Sequence, residues 1–333
     1  MSRTDLQNSS STDSMLKQPD FDTLRKKKFT YRLFGVGISH SKAPLMHNFL
    51  FGKLGLKDFN YEIMDSLDVD LYLQYTGANK DATCEDELVY NGSAVTMPNK
   101  VTMTKYVDLI DDNAKAVGAI NTIYVRFRDG KPITIGTNTD TIGIRDLLKF
   151  NAPVTVEKNM ESKKPGLVYG GGGACRSAIY ALYEYLGCSK IYVVNRFPEE
   201  VQAIAEDMKA NGFAGEIVPV ETPEQAEKLE KPELVVLTVP DFEAVSEQEK
   251  LARATLEVFI QSKDKGAVLE MCYHPQEITR LYTAFENAGW KVVGGVEAMI
   301  YQGLAQQVLW TGYELDEMPV KEVVEHVSKN VHH

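Results

Sequence analysis

A run of four consecutive glycines at 170–173 does most to limit what this chain can fold into. The residues before it, Leu167-Val168-Tyr169, have strand character, and residues 178–183 after it have the spacing of a helix. Glycine lets the backbone turn tightly and bring bare N–H groups against a phosphate, which the positive end of the following helix also attracts. A glycine run alone is also consistent with a flexible turn. The order of strand, glycine turn and helix, with Cys175 where Gly or Ala is usual, favours a dinucleotide-binding unit.

The next apolar strand bears on which dinucleotide is bound. Residues 190–194, which are apolar after Lys190, lead into Asn195-Arg196, some twenty-five residues beyond the glycine run. An acidic side chain at this place would accept hydrogen bonds from the ribose hydroxyls of NAD, whereas an arginine suits the 2′-phosphate of NADP. On residues alone, the pattern favours NADP.

Strand and helix patterns alternate from Phe29 onward, which predicts an α/β protein with mainly parallel sheets covered by helices. The length of 333 residues predicts two domains, and the polar stretch 151–164 is interpreted as the linker between them. We expect a disordered tail over 1–28, an N-terminal α/β substrate domain over 29–150 and a doubly wound Rossmann domain over 151–297, with a cleft between the domains. C-terminal helices within 298–330 are expected to return to the first domain and complete it.

Composition argues against several classes of function. With 47 acidic and 36 basic residues the net charge is −11, which disfavours nucleic acid and anionic membrane as partners. The four cysteines show neither metal-like spacing nor a disulfide framework, and no apolar run is long enough to span a bilayer. Because the N-terminal stretch is polar and lacks a secretory signal, we expect a cytoplasmic protein with reduced thiols.

Three stretches of the first domain carry groups suited to chemistry. Residues 37–48 end a strand in hydroxyl side chains before a proline-started helix, which can hold a carboxylate or simply cap the helix. Residues 95–100 place Lys100 one turn into a predicted helix after a buried strand, where a lysine can act as a base, although most lysines are solvated. Residues 136–140 end in Asp140, for which capping a helix is the simpler interpretation.

Together with the glycine turn, these stretches resemble the shikimate/quinate dehydrogenase family over about residues 30–312. The matching segments are 39–48 (S-H-S-K-A-P-L-M-H-N), 94–100 (A-V-T-M-P-N-K), 118–122 (G-A-I-N-T), 138–140 (N-T-D), 270–275 (E-M-C-Y-H-P) and 301–303 (Y-Q-G) followed by 310–312 (W-T-G). Six matches in the same order are far more specific than any one of them.

The resemblance implies an enzyme that oxidises a ring hydroxyl of quinate or shikimate to the 3-dehydro acid, by hydride transfer to NAD or NADP and without a metal. It implies that Lys100 and Asp140 are the catalytic pair that transfers the hydroxyl proton, and which of them is the base stays open. The implied substrate residues are Ser41 for the carboxylate and Thr96, Asn121, Tyr273 and Gln302 for the ring hydroxyls. The cofactor residues are Gly170, Gly172, Gly173, Ala174, Asn195, Arg196 and Thr238, with Gly295 near the nicotinamide.

One departure from the family pattern bears on the substrate. Ala43 replaces a second carboxylate-binding serine, which removes a hydrogen bond worth about 0.5–1.5 kcal/mol and leaves space where quinate carries an extra hydroxyl. We therefore expect a preference for quinate. Other departures are Ala94 for Asn, Phe197 for Thr, Glu270 for Asp, and Leu237-Thr238-Val239-Pro240 for N-A-T-P.

Several alternatives stay open at this point. Quinate-degrading members commonly use NAD, which conflicts with Arg196, so the choice between NAD and NADP is open. A biosynthetic NADP-dependent shikimate dehydrogenase and a catalytically silent ligand-sensing paralogue are the competing functions. Retention of Lys100 and Asp140 argues against the sensor, because binding alone has no use for a proton-transfer pair. A monomer and a homodimer fit the sequence equally well.

Overall fold

The computed structural model describes residues 16–273 and 276–330. They divide into two compact units, of which the first comprises the chain up to Thr139 together with the chain from Gln302, and the second comprises Asp140–Tyr301. The division falls at 139 and not at the expected 150, because the helix that begins at Thr139 packs within the second unit. Its Arg145 guanidinium lies 5.1 Å from the centre of the Tyr185 ring, and its Asn151 Nδ2 donates to Glu297 Oε2 at 3.1 Å.

The predicted alternation of strands and helices is confirmed. The strands are β1 (Phe29–Gly35), β2 (Phe59–Asp65), β3 (Gly92–Val95), β4 (Leu109–Ile110), β5 (Thr122–Arg128), β6 (Lys131–Thr137), β7 (Gly166–Tyr169), β8 (Ile191–Val194), β9 (Ile217–Pro219), β10 (Leu234–Leu237), β11 (Ala267–Glu270) and β12 (Lys291–Gly294). The α-helices of the described residues are α1 (Phe21–Leu24), α2 (Ala43–Lys53), α3 (Val69–Thr76), α4 (Asp112–Val117), α5 (Thr139–Asn151), α6 (Pro153–Ser162), α7 (Gly173–Tyr180), α8 (Pro198–Ala210), α9 (Pro223–Lys228), α10 (Glu247–Ile260), α11 (Arg280–Asn287), α12 (Gly295–Thr311) and α13 (Val320–Lys329). No helix within the described ranges has the length and apolar character that crossing a membrane requires.

The first unit contains a six-stranded sheet in the order β2-β1-β3-β5-β6-β4. Its strands run parallel except β5, which is antiparallel to both β3 and β6. The sequence analysis did not identify β6, because Pro132 and Gly136 within it are unusual in strands. The antiparallel β5 brings its own start beside the carboxyl ends of β3 and β6, which places three polar segments at one edge of the sheet.

The second unit contains a parallel sheet in the order β12-β11-β10-β7-β8-β9. Numbered from β7, this is the order 6-5-4-1-2-3 of a Rossmann fold, as predicted. The strands β7, β8, β10 and β11 are buried along their whole length, as expected for a sheet covered on both faces. The order reverses between β7 and β10, which is where this fold generally has its ligand crevice, and the glycine run follows the carboxyl end of β7.

The predicted disordered tail is wrong for its second half. Residues 1–15 lie outside the described residues, but 21–24 form α1, in which Phe21 and Leu24 are buried. Phe21 packs on Gly312, where a Cβ would lie 2.3 Å from its ring, and Lys17 forms an antiparallel bridge with Phe127. Two apolar anchors in a polar stretch are too weak a pattern to predict this from sequence.

The predicted linker is also structured, because 153–162 form α6. Pro153 occupies the first turn of this helix, where its fixed backbone angle favours a helix start. Lys158 and Lys164 both bind the buried carboxylate of Glu233, at 2.8 and 2.6 Å. Burial raises the pKa of Glu233, but the two lysine hydrogen bonds outweigh it and hold this pKa below its usual value. The segment is thus polar because it forms a surface helix with ion pairs, and not because it is a linker.

Trp310 is the centre of the first unit's core. It is fully buried on α12 and stacks on Tyr31 at 4.6 Å between ring centres. Its indole N–H donates to the Ile123 carbonyl at 3.0 Å, and its own carbonyl accepts from Asn91 Nδ2 at 2.7 Å. A Cβ on Gly92 would lie 2.2 Å from Trp310 Nε1, so the ring leaves room only for glycine there.

We therefore expect Gly92→Ala to lower the free energy of unfolding by about 1–3 kcal/mol, the usual effect of overpacking a core. The measurement is the urea midpoint followed by tryptophan fluorescence. Gly52→Ala is the matched control, since Gly52 lies in α2 with no atom within 4 Å of a Cβ. That change should be neutral or stabilising by up to about 1 kcal/mol. Equal effects of the two substitutions would contradict this account of the core.

Candidate active site

The carboxyl ends of β1 and β3 bring the first two motif segments together. Thr96 N–H donates to the Phe34 carbonyl at 2.8 Å, and Val36 N–H donates to the Met97 carbonyl at 3.2 Å. A Cβ on Gly35 would lie 2.4 Å from Thr96 Cγ2, so the close approach of the two strand ends requires glycine. The loop that carries Ser41 and the turn that carries Thr96 and Lys100 are therefore neighbours.

The loop that carries Ser41 is held by a carboxylate from the next strand. Asp65 accepts hydrogen bonds from the backbone N–H groups of Gly37 and Ile38, at 2.9 and 3.2 Å. Ser41 is half-buried, and its Oγ accepts from the Ala43 N–H at 3.3 Å. Because the hydroxyl acts as the acceptor in this bond, its own proton can be donated to an anion. Ala43 is buried and begins α2.

Lys100 lies in a turn and not in the predicted helix. The regular structure that follows is a 3₁₀ segment, Thr102–Tyr106, in which only Met103 is buried. Met97 and Val101 are 70% and 62% exposed, so the segment has no apolar face that would stabilise an α-helix. The Lys100 carbonyl accepts from the Ile120 N–H at 3.0 Å, which fixes the turn beside Asn121.

Asn121 is the hub of a buried hydrogen-bond network. Its Oδ1 accepts from Thr139 N–H at 2.7 Å and from Thr122 Oγ1 at 2.8 Å. Its Nδ2 donates to Gln302 Oε1 at 3.3 Å, and Thr139 Oγ1 lies 3.0 Å from the same oxygen. Two predicted substrate residues, Asn121 and Gln302, are thus joined to Thr139, the residue directly before Asp140.

A second layer of side chains supports this network. Gln306 Nε2 donates to Thr122 Oγ1 at 2.9 Å, and Gln306 Oε1 lies 3.1 Å from His47 Nε2. Gln307 Nε2 lies 2.6 Å from His47 Nδ1. An amide oxygen can only accept and an amide nitrogen can only donate, so His47 carries its proton on Nε2. Burial lowers the pKa of His47 to about 3, with the Gln306 bond opposing, so the ring is neutral.

The sequence analysis did not assign a role to this supporting layer. His47, Thr122 and Thr139 lie within matched segments, but Gln306 and Gln307 carry no signal of their own. On α12 the residues 302 and 306 are one turn apart, so the spacing of glutamines along this helix was the available clue.

In the second unit, the glycine turn leaves its backbone open after the end of β7. Gly170 has φ +117°, and a Cβ there would lie 2.5 Å from Thr238 Oγ1, which donates to the Tyr169 carbonyl at 3.0 Å. Gly172 and Gly173 are exposed, with no atom within 4 Å of a Cβ, and α7 starts at Gly173. The bare amides at the start of α7 are therefore accessible to an anion.

The end of β8 lies against this turn. A Cβ on Gly171 would lie 2.7 Å from Asn195 Nδ2, and Asn195 donates to Glu200 Oε2 at 2.7 Å. Arg196 donates through Nη1 to Glu249 Oε1 at 2.9 Å. The predicted cofactor residues Asn195 and Arg196 are thus each bound to a carboxylate that the sequence analysis did not include.

The remaining predicted residues lie near the ends of β11 and β12. Partial burial is the main cause that raises the pKa of Tyr273, and the nearby acidic groups of Cys272 and Asp140 raise it further. A Cβ on Gly295 would lie 2.3 Å from the Met271 carbonyl oxygen, which explains the glycine at the start of α12. Residues 274–275 of the matched segment lie outside the described residues.

Glu270 is buried at the end of β11. Burial raises its pKa to about 7, with hydrogen bonds from Cys272 N–H and Thr279 Oγ1 opposing. Among the described residues, no three His, Cys, Asp or Glu side chains are grouped so as to hold a metal ion.

Because His47 is buried and neutral, we expect it to make folding sensitive to acid. Unfolding restores its ordinary pKa of about 6.5, so its contribution to stability is complete above that pH and is lost as the pH falls towards 3. The slope approaches about 1.4 kcal/mol per pH unit. His47→Gln should reduce this slope in urea unfolding between pH 7 and pH 5.

The parent protein, unfolded at the same pH values, provides the reference slope. Glu270 and Asp111 act in the opposite direction. Burial raises the pKa of each carboxyl to about 7, so the stability that each contributes to the folded protein is lost as the pH rises towards that value. The test therefore compares the slope of His47→Gln with that of the parent protein and does not depend on the absolute value of either slope. An unchanged slope in His47→Gln would contradict the assignment of a neutral His47.

Comparisons with known proteins cover both units. A family model described as the shikimate dehydrogenase substrate binding domain matches residues 33–123. The chain is 40% identical over 294 residues to the quinate dehydrogenase of Emericella nidulans, covering 86% of this chain and 89% of that protein.

Solved structures with the same fold include shikimate 5-dehydrogenase from Thermus thermophilus in complex with NADP(H) and shikimate. It is 25% identical, with a TM-score of 0.66 over 90% of this chain and 99% of that one. Quinate dehydrogenase from Corynebacterium glutamicum in complex with NAD is 22% identical, with a TM-score of 0.71 over 91% of this chain and 99% of that one. The latter likeness is one of fold.

Proposed function

This chain belongs to the shikimate/quinate dehydrogenase family, and we propose that it is a quinate dehydrogenase that works with NAD. Family membership makes it an oxidoreductase with a small-molecule substrate and a nicotinamide cofactor. The observation that carries the choice of quinate is Ala43, a buried alanine beside Ser41 where the family pattern has a second serine. The 40% identity to a quinate dehydrogenase supports the same choice.

On the substrate side, Ser41 donates its hydroxyl proton to the carboxylate of the acid. Ala43 contributes a methyl group and no hydrogen bond, which leaves room for the extra hydroxyl of quinate. Thr96, Asn121, Gln302 and Tyr273 hold the ring hydroxyls. The network around Asn121 and Thr139 supports this assignment, because it orients the amides of Asn121 and Gln302 before any ligand arrives.

The reaction removes two hydrogens from a secondary alcohol. When bound, a nicotinamide would supply the acceptor for the hydride, which carries the electron pair of the broken C–H bond. Gly170, Gly172, Gly173, Ala174 and Thr238 would hold the dinucleotide, and Gly295 would lie near its reactive ring. Lys100 and Asp140 receive the hydroxyl proton, so that the carbon–oxygen bond becomes a carbonyl as the hydride leaves. The bond from Ile120 N–H to the Lys100 carbonyl supports this role, since it holds the lysine turn at the segment that leads into Asn121.

We expect Lys100→Met to lower kcat by about 10²- to 10⁴-fold, because proton transfer to a positioned group contributes that much. Stabilisation of the folded protein by quinate, measured as a shift in melting temperature, should persist. Lys105→Met is the matched control, since Lys105 is exposed in the same stretch and should retain full activity. A kcat within a few-fold of the parent in Lys100→Met would exclude Lys100 from proton transfer.

Ala43→Ser should lower the ratio of kcat/KM for quinate to that for shikimate. One hydrogen bond of about 0.5–1.5 kcal/mol corresponds to a change of roughly 2- to 13-fold. Ala43→Gly removes the methyl group without adding a hydroxyl, so the ratio there should not fall. A ratio that Ala43→Ser leaves unchanged would remove the basis for preferring quinate.

A specific observation also supports a second function, a shikimate dehydrogenase that uses NADP, because Arg196 has the charge to bind a 2′-phosphate. Initial rates with quinate and shikimate, each offered with NAD and NADP, separate the two functions. Turnover with quinate and NAD would establish the first, and shikimate with NADP the second. Saturable binding without turnover in all four combinations would indicate a silent sensor.

A further inference from the structure

We propose that Glu249, a carboxylate from the start of α10, determines the preference for NAD by occupying the guanidinium of Arg196. The inference rests on the proposed function only in requiring that the protein binds a nicotinamide dinucleotide. It assigns a specificity role to a residue about fifty positions away from the segment where a cofactor preference is ordinarily read.

Arg196 follows β8, where the adenosine end of a dinucleotide is expected in this fold. Its Nη1 donates to Glu249 Oε1 at 2.9 Å, and its guanidinium carbon lies 4.9 Å from the centre of the Phe197 ring. Contacts with the carboxylate and the ring hold the guanidinium, although the side chain is 51% exposed. A phosphate that binds here has to share or displace the carboxylate.

Glu249 is held independently of Arg196. Its Oε2 accepts from the N–H groups of Val245 and Ser246, at 3.1 and 3.0 Å, and the Ser246 hydroxyl accepts from Glu249 N–H at 3.2 Å. This reciprocal arrangement is a capping box. The backbone hydrogen bonds first, and Arg196 after them, lower the pKa of Glu249 to about 2. The carboxylate is therefore charged at neutral pH and fixed in place by the helix start.

The local charge disfavours a second anion. Glu200 accepts a hydrogen bond from Asn195 and Glu249 accepts one from Arg196, so each of the two residues that follow β8 is bound to a carboxylate. Arg253, one turn further along α10, has Glu257 at 4.0 Å. The 2′-phosphate of NADP would bring close to two further negative charges, whereas the 2′-hydroxyl of NAD is neutral and can donate to a carboxylate. The site thus has an arginine without the net positive charge that a phosphate requires.

The test is Glu249→Gln, which removes the charge and keeps the cap, because glutamine serves equally well at this position of a capping box. We expect its affinity for NADP, measured by calorimetric titration, to rise by about 10- to 100-fold relative to that for NAD, the worth of a hydrogen bond to a charged group. Glu247→Gln is the matched control. Glu247 lies in the same first turn but pairs with Lys250 at 2.9 Å, so its removal should leave the NADP to NAD ratio unchanged.

A second variant keeps the test decisive if the helix start is disturbed. In the presence of Glu249, Arg196→Gln should change NADP affinity little, whereas in Glu249→Gln it should abolish the gain. Overturning results are a ratio that Glu249→Gln does not move, or a parent protein that binds NADP more tightly than NAD. Because binding is measured without turnover, a protein that prefers NAD but does not oxidise quinate would contradict the proposed function and leave this inference standing.

Discussion

The first unit depends on one buried amide. Asn121 uses its oxygen to hold Thr139 and Thr122 and its nitrogen to hold Gln302, so a single side chain joins the start of β5, the start of α5 and the middle of α12. Buried polar groups are normally hydrogen-bonded, and Gln306 and His47 extend this network behind Thr122. The contacts that orient the proposed substrate residues Asn121 and Gln302 are therefore part of the packed core of the first unit.

Sequence alone was sufficient for the parts of the molecule that follow simple periodicity. The buried strands β7, β8, β10 and β11 and the glycine turn between β7 and α7 were all identifiable, and so the Rossmann unit was predictable. The elements it missed break those rules: β6 contains a proline, α1 is a single turn, and α6 is polar. The sequence predicts a helix at Lys100, because burial of a helix face depends on the elements packed against it and cannot be read from the segment alone. In the structure that segment has no buried apolar face.

The candidate site divides in the same way. Residues within contiguous motifs, such as Ser41, Thr96 and Lys100, could be proposed from the sequence because each motif is local in the chain. Partners from distant segments of the chain could not be proposed in this way, since the pairing of Arg196 with Glu249 joins positions 53 residues apart. An arginine considered in isolation suggested a phosphate site, and the structure supplies the carboxylate that alters this interpretation.

At the start of α10, the capping of the helix does not depend on the charge of the capping residue. Its acidic residue can be exchanged for the matching amide without loss of the helix start, and in the genetic code glutamate and glutamine differ by one base. With Glu249 as the proposed determinant, a single mutation would change the cofactor preference and keep the capping residue. That preference then depends on one exchangeable side chain, whereas the amide network of the first unit joins several buried ones.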